Sequence, residues 1–172
     1  MPATLKLTDS IFALLDERDM DELHRVEFSN GFVWEGRIPS LTWRPAVKKH
    51  TTYVVATFGS WLELRLHRAV MNAKLTETVD HRDHNGLNNV RENLRIATAA
   101  QNGANRVKSP QHSSRFKGVS LHRQTGRWEA SLRVNRNKIH IGLFEREEDA
   151  ARAYNAKAAA VWGEFAHLNA VA

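Results

Sequence analysis

The clearest alternation of apolar and polar side chains lies in the C-terminal third. From Arg127 to Val134, the even positions are Trp128, Ala130, Leu132 and Val134, and the odd positions are Arg127, Glu129, Ser131 and Arg133. A period of two describes a strand with one dry face. Asn135-Arg136-Asn137 reads as a turn, and Lys138 to Gly142 alternates again with Ile139 and Ile141 inward. Val119 and Leu121 fit an earlier strand facing the same core. Glu147-Glu148-Asp149 then opens an alanine-rich run to Trp162, followed by Gly163. Acids in the first turn and Gly past the last are helix start and stop signals. Ala150, Ala153, Tyr154, Ala158 and Val161 recur at helical spacing. This segment predicts three strands with one helix packed behind them.

Upstream the pattern is more broken. Asp16 to Arg25 predicts a short acidic helix with Met20 and Leu23 inward. Phe32 to Trp34, Thr52 to Phe58 and Trp61 to Leu66 are rich in aromatic and β-branched residues, and Asn30-Gly31, Pro39, Pro45 and Gly59 punctuate them. They predict a small antiparallel sheet, with Lys48-Lys49-His50 at a hairpin tip. Between 78 and 102 the order predicted is strand, loop, short strand over 94–97, then helix. Asn85-Gly86 marks a turn, and Thr98-x-x-Gln101 has the capping-box form that begins a helix. The polar stretch from Val107 to Ser114 contains Pro110 and lacks apolar periodicity, so it reads as a linker.

Composition narrows the class. With 172 residues and 42% hydrophobic content, the chain has enough apolar surface for real cores. The absence of cysteine excludes disulfides, thiolate zinc sites and a cysteine nucleophile. No apolar run approaches the ~18 residues of a spanning helix, and the N-terminus lacks a secretory pattern. A cytoplasmic protein that does not engage membrane is expected. Lys and Arg number 25 against 19 Asp and Glu, a formal charge of +6. The bases concentrate from Arg115 to Lys138, and acids dominate both residues 1–40 and the stretch after Glu145. A basic face of this kind has a polyanion as its natural partner.

The segment from Thr78 to Asn102 is crowded with Asn, Asp and His, which a stable core seldom collects. Phosphodiester hydrolysis needs a base for water, a divalent metal to neutralise charge, and cationic docking groups. Histidine suits the base near neutral pH. Magnesium accepts one or two protein oxygens and completes its shell with water and phosphate. Asp80, His81 and Asn102 form such a set if the helix packs on the first strand. His81 and His84 are spaced like half a zinc site, but no second pair of ligands accompanies them.

From Leu66-His67-Arg68 to Asn105 the chain resembles the HNH nuclease family, in the subgroup of phage and intron-encoded homing endonucleases. Asp80-His81, Asn88-Asn89 before Arg91-x-Asn93-Leu94-Arg95, and Gln101-Asn102 carry the resemblance. It implies a ββα-metal fold and four catalytic residues. Asp80 and Asn102 would be the ligands of Mg²⁺ or Mn²⁺, His81 the general base, and Asn93 the brace of the loop. His67 matches the histidine that precedes the motif. His84 stands where many members have Gly, and Asn102 where others have His.

Phe116-Lys117-Gly118-Val119, Gly126-Arg127-Trp128-Glu129-Ala130, Ile141-Gly142-Leu143-Phe144 and Glu148 to Tyr154 resemble an Apetala/ethylene-response-factor DNA-binding domain. That resemblance implies a sheet laid in the major groove of double-stranded DNA, a groove wide enough for a β-ribbon. The candidate DNA-binding residues are Lys117, Ser120, His122, Arg123, Arg127, Glu129, Ser131, Arg133, Lys138 and His140. Arg127 and Arg133 are the best candidates for guanine, and Trp128 points into the core.

The fold class expected is α+β. A small β-rich region (1–66) precedes a nuclease module (67–107), a linker (108–114) and a three-stranded sheet packed on one helix (115–172). The function expected is a monomeric, phage-encoded, metal-dependent homing endonuclease. The alternatives are a binding-only transcriptional regulator and a nonspecific phage nuclease.

Overall fold

The computed structural model describes residues 1–48, 50–60, 62–108 and 113–171. It mixes helices with small antiparallel sheets, an α+β arrangement. Two compact units, Met1–Thr98 and Ala99–Ala172, make up the chain.

The first unit begins with β1 (Pro2–Lys6) and β2 (Phe12–Asp16), a hairpin in which Ala13 and Leu15 face inward and are fully buried. A single turn, α1 (Arg18–Asp21), leads to β3 (His24–Glu27), which pairs with β4 (Val33–Gly36). The acidic helix expected over 16–25 is therefore confined to one turn. Glu22 is already extended at ψ 151°, and Leu23 is 65% exposed, while Met20 does pack on the core. Val26 opposite Trp34 draws the following residues into a strand pair. Next come β5 (Arg44–Val47), β6 (Thr52–Phe58) and β7 (Leu62–Arg65), in that order in one sheet. The hairpin tip expected at 48–50 lies between β5 and β6; Lys49 and Trp61 fall outside the described residues. The single small sheet expected upstream is thus three separate sheets. The helix α2 (Leu66–Val70) then leads to the pair β8 (Thr78–His81) and β9 (Leu94–Ala97). One apolar cluster, including Leu15, Val26, Leu64, Leu66 and Val70, joins these elements to Val79 and Leu94. Residues 1–66 accordingly share a core with β8 and β9.

The second unit starts with α3 (Ala99–Asn105) and continues as β10 (Val119–His122), β11 (Arg127–Val134), β12 (Asn137–Phe144) and α4 (Glu147–Trp162). The sheet order is β10-β11-β12, all antiparallel. Trp128 lies opposite Leu121 and Phe144 and packs into the core, while Glu129 lies opposite Ser120 on the other face. The helix buries Ala150, Ala151, Tyr154 and Ala158 against the sheet. Gly118 has φ +74°, and a Cβ there would sit 2.0 Å from Cδ2 of Tyr154, so only glycine fits beneath that ring.

The division between units falls ahead of the polar stretch 108–114, of which 109–112 lie outside the described residues. The reason is the end of α3. Its Ala104 carbonyl accepts hydrogen bonds from the Lys117 ammonium and from the His167 N–H, and the Arg106 carbonyl accepts a second from Lys117. These contacts satisfy carbonyls that a helix end leaves open.

Candidate active site and nucleic-acid interface

Antiparallel pairing of β8 with β9 sets Asp80 opposite Arg95 and His81 opposite Leu94. The Arg95 Nε and Nη2 groups donate to Oδ2 of Asp80 at 2.9 and 2.8 Å, and both residues are 6% exposed. The next side chain, His81, is also buried. Its Nε2–H donates to Oδ1 of Asn89 at 3.2 Å, and the Asn89 amide donates to the Gly86 carbonyl. Nε2 therefore carries the proton, and the ring's lone pair sits on Nδ1. Burial lowers the His81 pKa against the opposing pull of the Asn89 hydrogen bond and the Asp83 and Asp80 charges. A neutral imidazole is the state a general base requires.

Asn93 ties the loop between the strands at both ends. Its side-chain amide donates to Asp83 Oδ1 and to the Asn88 carbonyl, its Oδ1 accepts from the Asp83 N–H, and its carbonyl accepts from the Arg82 N–H. Burial would raise the Asp83 pKa, but hydrogen bonds from the Asn85 N–H, Asn88 and Asn93 win and hold it below the ordinary carboxylate value. His84 adopts φ 64°, the left-handed conformation glycine enters without cost.

The loop is also anchored from the N-terminal strands. Leu14 exchanges backbone hydrogen bonds with Leu87 and Asn89, extending β2 by a parallel bridge. Asp16 accepts the Arg91 N–H, and buried Asp19 accepts two bonds from the Arg91 guanidinium. Thr51 Oγ1 accepts the Gly86 N–H, and a Cβ on Gly86 would meet the Thr52 carbonyl at 2.6 Å. Asn89 entered the sequence reading only through the motif; its contact with His81 depends on how the loop curls back. Arg95 was recoverable from the register, because two short antiparallel strands joined through 82–93 set it opposite Asp80.

Asn102 lies on α3 in the second unit and is partly buried. The donor types of Asp80 and Asn102, carboxylate and amide oxygen, suit a hard cation such as Mg²⁺. Among the described residues no group of three or more His, Cys, Asp or Glu is placed to hold a metal.

In the second unit, register puts Ser120, His122, Arg127, Glu129, Ser131, Arg133, Lys138 and His140 on the sheet face opposite the apolar core. Arg123 is exposed in the turn before β11. Lys117 departs from the expectation. It precedes β10, and its ammonium is directed to the Ala104 and Arg106 carbonyls at the end of α3 instead of outward. Glu129 sits centrally and accepts hydrogen bonds from Lys138 Nζ at 2.8 Å and His140 Nδ1 at 3.0 Å. The Lys138 bond, ahead of opposing burial and helped by His140, holds Glu129 below the usual carboxylate value. Arg127 pairs with Glu145 at 2.6 Å.

Part of the chain is similar to a viral protein named as an HNH endonuclease, and part to AP2-like transcription factors of plants. It is 36% identical over 115 residues to an uncharacterized HNH endonuclease of Acanthamoeba polyphaga mimivirus, covering 63% of this chain and 59% of that protein. It is 39% identical over 69 residues to the AP2-like ethylene-responsive transcription factor ANT of Arabidopsis thaliana, 34% of this chain and 12% of that one. An APETALA2-like protein 2 of Oryza sativa is 44% identical over 59 residues, 33% of this chain and 13% of that protein. The chain thus spans less than two thirds of the viral relative and a small fraction of the plant ones. No family model and no solved structure matches it. No helix among the described residues is long and apolar enough to cross a membrane.

Proposed function

We propose that the protein is a metal-dependent, site-directed DNA endonuclease of the homing type, in which the first unit carries the base and the second reads DNA. The observation that carries this reading is His81, buried, held neutral, and fixed as the Nε2–H tautomer by Asn89. In the reaction, His81 Nδ1 takes a proton from a water whose oxygen attacks phosphorus in line, while the P–O bond on the opposite side breaks and the sugar oxygen leaves with its electron pair, to be protonated by solvent. Asn93 and Asn89 keep the loop and the ring in place while the proton moves. Asp80 and, by motif order, Asn102 are the residues proposed to hold Mg²⁺ or Mn²⁺. When bound, such an ion neutralises charge on the phosphate and the leaving oxygen.

The second unit offers Arg127, Arg133 and Lys138 on one sheet face, with Arg123 at its edge. Arginine there suits guanine, because only its fork makes the bidentate contact. Glu129 becomes an acceptor for a cytosine amino group once Lys138 turns to phosphate. Closure of Asp80 by Arg95 favours a second reading, a DNA-binding protein without cleavage.

Incubation of supercoiled plasmid carrying phage or host genomic fragments, with Mg²⁺ or with EDTA, separates the two. Metal-dependent nicking or linearisation is expected, with His81→Ala about 10²–10⁴-fold slower while still binding. A His81→Ala protein that cuts at the wild-type rate refutes the assignment. Tight binding without cutting on any fragment supports the second reading. Arg133→Glu should weaken binding and flatten its dependence on salt.

A further inference from the structure

The family resemblance leaves His67 without a role, and the structure places it against the base. Its ring, on α2, is 4% exposed and stands edge-on to the His81 ring, with centroids 5.0 Å apart and planes at 79°. Tyr53, from β6, closes the group, its ring 5.7 Å from His67 and 6.0 Å from His81. Nδ1 of His67 is buried and has no hydrogen-bond partner among the described residues. What His67 brings to His81 is a perpendicular ring contact.

The Asn89 amide oxygen accepts from His81 at Nε2. A turn of the ring about the line from Cγ to Nε2 keeps that hydrogen bond and moves Nδ1, so the plane of the ring sets the aim of the base. Perpendicular packing of an aromatic edge is directional as well as close. Two rings against His81, with the amide at its far nitrogen, define a plane as well as a position.

We infer that His67 is a positioning residue that fixes the ring plane of His81, so that its tautomer and aim are set before DNA binds. This deepens the endonuclease reading and rests on it for its catalytic consequence. Its structural content, the order of the His81 ring, stands apart from cleavage.

The test uses the full chain and four proteins: wild type, His67→Ala, His67→Leu and His67→Phe. Leucine fills the space without a ring, and phenylalanine restores an aromatic edge without nitrogen. Two readouts are taken. One is the single-turnover cleavage rate at saturating protein, with DNA affinity measured separately. The other is the ¹⁵N NMR signature of the His81 ring nitrogens in DNA-free protein. A misaimed base is expected to slow the single-turnover rate about 10- to 100-fold in His67→Leu and His67→Ala, with affinity unchanged and with rescue in His67→Phe. His81 should show one Nε2–H tautomer in wild type and His67→Phe, and a mixture in His67→Leu. His67→Leu that cuts at the wild-type rate overturns the inference. So does a His67→Phe as slow as His67→Leu, or a His81 signature identical in all four. If wild type cuts no DNA, the endonuclease reading fails, and the NMR comparison alone decides whether His67 orders the ring. Should His67→Ala fail to fold, the leucine and phenylalanine proteins carry the comparison.

Discussion

Replacing Arg95 by leucine removes one half of a buried ion pair. In the folded protein the Asp80 carboxylate is 6% exposed, and Oδ2 receives two N–H donors from Arg95 at 2.9 and 2.8 Å. Leucine keeps roughly the volume of the stem and removes both donors. Breaking a buried pair by deleting one partner costs about 3–5 kcal/mol, because the remaining charge stays desolvated. For a unit of this size each kcal/mol is worth about 4–8 °C in Tm, so a fall of more than about 12 °C is expected. Replacing both partners with apolar residues, Asp80→Val with Arg95→Leu, should recover most of that loss. Thermal melts of the four corners of this cycle, followed by circular dichroism, give the coupling directly. A second set with Mg²⁺ asks whether freeing Asp80 from Arg95 raises its affinity for the cation, read as a larger ligand-induced rise in Tm. A loss below about 1 kcal/mol in Arg95→Leu, the range of exposed pairs, would refute the closed-pair geometry. Asp80 would then be open to solvent and ready for metal in the resting protein.

Two further outcomes are expected in the second unit. Gly118→Ala forces a Cβ to 2.0 Å from the Tyr154 ring at φ +74°; strain and overpacking together should cost about 2–5 kcal/mol, and an unchanged Tm would disprove the tight contact. Burial, and after it the Arg106 charge, lowers the Lys117 pKa from 10.5 to about 8. A folded pKa below the unfolded one penalises the protonated form, so the penalty is present below pH 8 and is relieved as pH rises to 10.5. Stability should rise across that window relative to Lys117→Met, and parallel curves for the two proteins would contradict the shift.

Legibility in the sequence followed the range of the interactions. The run Glu147 to Trp162 was readable to the residue because its signals are local: acids in the first turn, small residues at helical spacing, Gly163 as the stop. The alternation over 127–134 likewise assigned Trp128 and the outward arginines to opposite faces. Asp80 and His81 on one strand, followed by a loop and the strand at 94–97, came from motif order and appear in that arrangement. The N-terminal hairpin did not announce itself, since Phe12-Ala-Leu-Leu has no polar alternation. Asp16 and Asp19 looked like the face of a helix, and their true partner, Arg91, is more than seventy residues away. Asn89, Tyr53 and His67 around His81 come from three separate elements, and no spacing rule connects them. Lys117 turned inward instead of outward, because the Ala104 and Arg106 carbonyls at the end of α3 lay within reach of its long stem.

The anchoring of the loop by Leu14, Asp16 and Asp19 has a kinetic side. The bonds from Arg91 close chain segments of 75 and 72 residues. Contacts so distant form after local ones, since the loop-closure entropy must be met first. The hairpin 2–16 can form early, and β8 and β9 can pair by themselves, yet the loop carrying Asn89 gains its anchors on Leu14, Asp16 and Asp19 only when the two meet. A ribosome-bound or half-folded chain would therefore hold His81 without its tautomer lock. On the endonuclease reading, the base would be made ready in one late step of folding, with the whole first unit assembled, and not gradually as the chain emerges.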